Sequence, residues 1–109
     1  MSRKPDHLLG SLDLLILKTL ESQPNHGFGI TLHIETVSER LLTVEEGSLY
    51  PALHRLERDG WVLGEWMVTG NQRRARVYKI TAAGRKRLVE AAETWKNVHK
   101  GVARILRFS

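Results

Sequence analysis

Glu45-Glu46-Gly47-Ser48-Leu49-Tyr50-Pro51-Ala52-Leu53-His54-Arg55-Leu56-Glu57-Arg58-Asp59-Gly60 carries the most telling pattern in the chain. At about 100° per residue, Leu49, Ala52, Leu53, Leu56 and Gly60 fall on one side of a helix. Gly47, Pro51, His54, Arg55 and Arg58 fall on the other. One face is core material and the opposite face is small or cationic. Glu45 and Glu46 stand near the helix start, where the dipole favours anions, and Ser48 is a candidate cap there. Pro51 is tolerable only near the first turn, where a missing N–H costs little. Gly60 is a natural C-terminal stop. So short a helix, with small residues at its exposed N-terminal end, could enter a DNA major groove; taken alone, the stretch fits an ordinary amphipathic surface helix equally well.

The next twenty residues separate these two readings. Trp61-Val62-Leu63 and Val77-Tyr78-Lys79-Ile80 are rich in β-formers, and Gly70-Asn71 between them is a strong turn signal. From Arg73 to Arg87 the chain carries Arg73, Arg74, Arg76, Lys79, Arg85, Lys86 and Arg87, with no Asp or Glu. A solvated charged loop is the bland account of such a run. Same-sign clustering at a hairpin tip just after an amphipathic helix instead fits phosphate contact or minor-groove insertion. A short helix followed by a basic-tipped hairpin is the order of a winged helix-turn-helix.

Upstream, Leu8 to Leu20 is apolar on more than one helix face (Leu8, Leu9, Leu12, Leu14, Leu15, Ile16, Leu17, Leu20) and must be buried on several sides. Ser11 is its expected N-cap, and Pro24-Asn25 breaks it. His26-Gly27-Phe28-Gly29-Ile30 comes next, then a second helix to about Glu39, with Phe28, Ile30, Ile34 and Val37 on its apolar side. Gly27 and Gly29 are weak helix formers; close packing against a neighbouring helix explains them better than close approach to a phosphate. Leu42 to Val44 is expected to form a short strand beside the hairpin. Downstream, Thr81 caps a final helix, in which Leu88, Ala91, Ala92, Trp95, Val98, Val102, Ile105 and Leu106 recur at three- and four-residue steps. Nothing earlier in the monomer is free to cover all of that stripe, so a partner helix is its natural mate. Gly101 is where this helix would bend or fray. The fold class is therefore mainly α with a small β-hairpin: a winged helix-turn-helix over residues 8–81 and a long C-terminal dimerisation helix over residues 82–109.

The bulk numbers narrow the function. A chain of 109 residues points to one domain. A net charge of +5 and a pI of about 10.0 suit a polyanionic partner. The absence of cysteine excludes disulfides and thiolate metal sites. No segment approaches the ~20 apolar residues of a membrane span, and no signal region is expected, since Asp13, Lys18 and Glu21 interrupt the first apolar stretch. A cytoplasmic location is the expectation. His7, His26, His33, His54 and His99 are scattered without metal-ligand spacing. No nucleophile–base set or phosphate loop stands out. Glu45-Glu46 is a poor acid/base pair, because adjacent helical residues diverge by about 100°. No enzyme activity, metal or cofactor is expected.

Several of these segments resemble PadR-like transcriptional regulators. They are Leu9-Gly10-Ser11-Leu12-Asp13-Leu14-Leu15-Ile16-Leu17, His26-Gly27-Phe28-Gly29-Ile30, Glu46-Gly47-Ser48-Leu49-Tyr50-Pro51-Ala52-Leu53-His54-Arg55-Leu56, Gly60-Trp61, Arg73-Arg74-Ala75-Arg76-Val77-Tyr78 and Thr81-Ala82-Ala83-Gly84. The resemblance runs from Leu8 to about Leu88. The departure is Phe28, where the family often has Tyr, which removes one hydroxyl. The resemblance implies a dimeric winged-helix regulator of the short subfamily, usually a repressor, in which the N- and C-terminal helices build the dimer. Some short members bind planar aromatic compounds between the subunits near a tryptophan comparable to Trp95. Plain packing at the dimer core is the simpler role for Trp95, since Trp serves interfaces without any ligand.

Double-stranded DNA is the expected partner. Ser48, Tyr50, Pro51, His54, Arg55 and Arg58 are the expected contacts from the reading helix. The hydroxyls suit phosphate or base edges, Pro51 suits a thymine methyl, and the arginines suit guanine or phosphate. Asn71, Arg73, Arg74 and Arg76 would serve the wing. Tyr50 borders the apolar face and has a core alternative; Trp66 and Tyr78 are expected to pack within the hairpin. The homodimer contact is expected from Leu8, Leu12, Leu15, Leu88, Ala92, Trp95, Val98, Val102, Ile105 and Leu106. The alternative is a winged-helix module that docks another protein on its apolar C-terminal helix.

Overall fold

The computed structural model describes residues 11–68 and 70–107; Leu8, expected at the subunit contact, lies outside them. The described residues run α1 (Leu12–Ser22), β1 (Asn25–His26), α2 (Gly27–Val37), α3 (Glu46–Arg58), β2 (Val62–Val68), β3 (Arg74–Ile80) and α4 (Ala82–Arg107). The many-sided apolarity of α1 is used as its pattern requires. Leu12, Ile16, Leu17 and Leu20 are buried, and α2, α3, β3 and α4 all pack against this one helix. Ile30 and Ile34 from α2, Leu49, Ala52, Leu53 and Leu56 from α3, and Val62, Tyr78, Ile80 and Leu88 complete the core. Full burial of a side chain such as Leu or Ile is worth about 1.5–3 kcal/mol, so this cluster, not helix propensity, holds the elements together. Ser11 takes the N-cap position of α1, but its side chain makes no capping hydrogen bond.

The sheet is antiparallel in the order β1-β3-β2, with Val62 opposite Ile80 and Val68 opposite Arg74. Its third strand corrects the expected strand at Leu42 to Val44. It is Asn25–His26, paired with Tyr78 and Val77 of β3. Leu42 and Val44 pack on the core without forming a strand. The backbone N–H of Leu42 donates to Ser38 Oγ at 3.0 Å, which turns this segment toward the end of α2.

Local chemistry sets the helix ends. His26 caps α2 by accepting the Gly29 N–H at Nδ1, 3.0 Å away. Helix α2 stops at Val37, two residues short of expectation, because Glu39 and Arg40 turn left-handed (φ 55° and 67°). Gly60, at φ 81°, ends α3 as expected. Thr81 caps α4: its hydroxyl accepts the Gly84 N–H at 3.0 Å and donates to the Gly60 carbonyl at 2.7 Å. The base of the wing is thereby tied to both flanking helices. Helix α4 runs unbroken through Gly101.

Candidate nucleic-acid interface

Helix α3 begins at Glu46 with Glu45 as N-cap and no side-chain cap. Ser48, a candidate cap in the sequence, instead sits inside the first turn. Its N–H donates to the Glu45 carbonyl at 3.0 Å and its residue is exposed. Pro51 lies in the second turn, so the Gly47 carbonyl receives no i+4 donor. The helix tolerates this because Gly47 and Pro51 both face solvent. The face opposite the core presents Ser48, Tyr50, Pro51, His54, Arg55 and Arg58, all exposed.

Tyr50 resolves its border position by spanning two helices. Its ring lies against Gly27 at the start of α2, where an added Cβ would come 2.4 Å from the Tyr50 hydroxyl. Gly27 is thus a packing glycine, the first of the two accounts of this pair. Between this contact and the wing runs an open groove of roughly 540 Å³, lined by His26, Gly27, Phe28, Tyr50, Trp66, Arg73, Arg74, Ala75 and Arg76. Aromatic rings and guanidinium groups line it together. An open cationic trough with aromatic walls suits an extended polyanion better than an enclosed small molecule. Phe28 is exposed along its edge, where the hydroxyl of a Tyr would have stood.

The seven cations of residues 73–87 do not form one cluster. Asn71, Arg73 and Arg74 are exposed around the hairpin tip, and Lys79 is exposed on β3. Arg85, Lys86 and Arg87 open α4, with the Arg87 guanidinium 5.0 Å from the Trp61 ring centre. The left-handed residue of the turn is Gln72 (φ 59°). Arg76 points inward. It pairs with Glu57 of α3 at 2.8 Å and lies over the Trp66 and Tyr78 rings at 5.6 and 6.0 Å. Glu57 also accepts the Gly64 N–H at 3.3 Å, so one carboxylate ties α3 to both strands of the wing. Tyr78 is packing, as expected, and burial pushes its hydroxyl above the ordinary phenol range. Trp66 is not a packing residue: it is 57% exposed, with the Arg74 guanidinium 5.0 Å from its ring centre.

Arg55 reaches back to Asp13 in the first turn of α1 and forms an ion pair. Sequence reasoning missed Asp13, Glu57, His26 and Trp66 as parts of this surface. Asp13 and Arg55 are 42 residues apart, and no local pattern joins them.

On α4, Leu88 is buried in the core of its own chain, as Leu12 is on α1. Leu15, Ala91 and Ala92 are half-buried. Beyond them Trp95, Val98, Val102, Ile105 and Leu106 are exposed, from 43% to 72%. The His99 imidazole stacks on Trp95 with ring centres 4.9 Å apart and planes 10° apart. Among the described residues no helix is long and apolar enough to cross a membrane, and no group of three His, Cys, Asp or Glu is placed to hold a metal ion.

Comparison with known proteins agrees with this architecture. A transcriptional regulator of Mycobacterium tuberculosis is 43% identical over 65 residues, covering 60% of this chain; the chain spans 57% of that protein's length. A transcriptional regulator from Clostridium thermocellum superposes with a TM-score of 0.84 at 27% identity, over 92% of this chain and 97% of that one. A PadR-like transcription factor from Bacteroides fragilis does so with a TM-score of 0.71 at 30% identity, over 88% and 90%. The model of the transcriptional regulator PadR-like family matches residues 16–90. With a winged helix, a long C-terminal helix and that match, the chain belongs to the PadR-like family of transcriptional regulators.

Proposed function

We propose that the chain is a homodimeric repressor that binds a palindromic operator in the cytoplasm. Residues 8–81 are the DNA-binding unit and residues 82–109 the dimerisation helix. Helix α3 enters the major groove, and Ser48, Tyr50, Pro51, His54, Arg55 and Arg58 face the bases and phosphates. Asn71, Arg73, Arg74 and Arg76 of the wing follow the adjacent backbone. The observation that carries this reading is the shared groove: Tyr50 of the reading helix and Arg73 and Arg74 of the wing line one open trough. A duplex laid on α3 would pass its phosphates along it.

The exposed stripe of α4 supports the dimer. Trp95, Val98, Val102, Ile105 and Leu106 repeat at the three- and four-residue spacing of a helix-pairing seam. In a two-fold dimer the paired reading helices stand one duplex turn apart, about 34–36 Å. A planar aromatic effector held between subunits on Trp95 would change that spacing by favouring one dimer state.

Selection of bound duplexes from a random pool tests the whole reading. The expected result is a two-fold symmetric motif. A chain that enriches no motif overturns sequence-specific regulation. A chain that is monomeric on gel filtration favours the alternative, in which α4 docks another protein.

A further inference from the structure

Two arginines of the proposed interface carry acidic partners: Arg55 with Asp13 and Arg76 with Glu57. No acidic side chain among the described residues pairs with Arg58 or Arg73. The Arg76 pair ties the wing to α3, an architectural role. The Arg55 pair has no such task. Its arginine and carboxylate side chains are 44% and 31% exposed, and an ion pair so open to water adds little to folding. Helix α1 and helix α3 are already joined through the buried leucines.

The pair has a clear consequence for binding. A free arginine loses rotamer freedom when it docks on a base. Arg55 is held before DNA arrives, by one hydrogen bond from Nη2 to Asp13 Oδ1. A guanidinium has five donors, so others stay available for the O6 and N7 of a guanine. The carboxylate beside it also repels a phosphate, with its full charge, more strongly than a neutral base edge, whose acceptors carry only partial charge. Arg55 so held is a weaker ligand for phosphate than a free arginine and a prepared ligand for one base.

We propose that Asp13 is a specificity-determining positioning residue, which orients Arg55 toward a base edge and discourages its use as a general phosphate contact. This rests on the DNA-binding reading above. It places a determinant of base choice on α1, outside both the reading helix and the wing.

The test compares the selected operator with a scrambled duplex of equal length, using the full chain. Asp13→Asn should lower the ratio of the two affinities about two- to fivefold, the range that an exposed ion pair supplies. Operator binding falls while scrambled binding holds or rises. In an Arg55→Ala background, Asp13→Asn should leave the ratio unchanged. Asp13→Ser should behave like Asp13→Asn, and partial unfolding of either variant cancels from a ratio measured on one sample. A wild-type ratio in Asp13→Asn, or an equal drop without Arg55, overturns the proposal. Failure of the unaltered chain to prefer any duplex sinks the DNA-binding reading itself, and the proposal with it.

Discussion

Gly60 and Glu39 do the same work at the ends of α3 and α2, with opposite suitability. Each is the left-handed residue after the helix cap, at φ 81° and 55°. The Gly60 N–H bonds the Glu57 carbonyl and the Trp61 N–H the Leu56 carbonyl; at α2, Glu39 bonds Thr36 and Arg40 bonds Glu35. Glycine meets the left-handed region without a Cβ penalty, and a glutamate does not. A Cβ at Gly60 would meet nothing within 4 Å, so Gly60→Ala tests conformation alone. It should cost about 1 kcal/mol and lower the melting temperature by roughly 5 °C. Glu39→Gly should raise stability by about 0.5–1 kcal/mol, the relief of strain less the added freedom of the unfolded chain. Thermal unfolding of both variants reads the two signs in one experiment.

Among the elements, the wing is braced against helix α3. Glu57 holds Gly64 and Arg76, Arg76 lies over Trp66, and Thr81 anchors the hairpin base. Arg73 and Arg74 stay exposed at the tip. Arg73→Ala with Arg74→Ala should weaken all duplexes about equally and leave the preferred motif intact. The slope of log affinity against log salt should shrink by about 0.9 for each phosphate the wing no longer neutralises. Salt titration on two unrelated duplexes measures this. A double variant that binds as tightly as its parent would remove the wing from the DNA face.

At the scale of the molecule, α4 sets the shape. It is 26 residues long, about 39 Å at 1.5 Å per residue, and beyond Ala92 only Ala103 is even half-buried among its described residues. Large apolar side chains on such a face gain about 1.5–3 kcal/mol each when fully covered. Val98→Asp with Val102→Asp should therefore convert the proposed dimer to monomer and abolish the proposed tight operator binding, while circular dichroism still shows the folded winged helix. Sedimentation and a DNA titration check both. A dimer that survives the double substitution would move the subunit contact elsewhere.

Most elements and their faces are legible in the amino-acid string. The apolar period of α3, the all-round apolarity of α1, the stop at Gly60, the cap at Thr81 and the open stripe on α4 are local patterns, and local patterns survive in a linear string. Folding settled what depends on pairing across distance. It paired Asn25–His26, and not Leu42 to Val44, with β3, while Ser38 Oγ accepts the Leu42 N–H. It also sorted the arginines, which look equivalent in sequence. Arg76 is drawn inward by Glu57, Arg55 is tethered by Asp13, and Arg73 and Arg74 stand at the exposed wing tip. A charge announces itself in the sequence, but its partner is found only when the chain has folded.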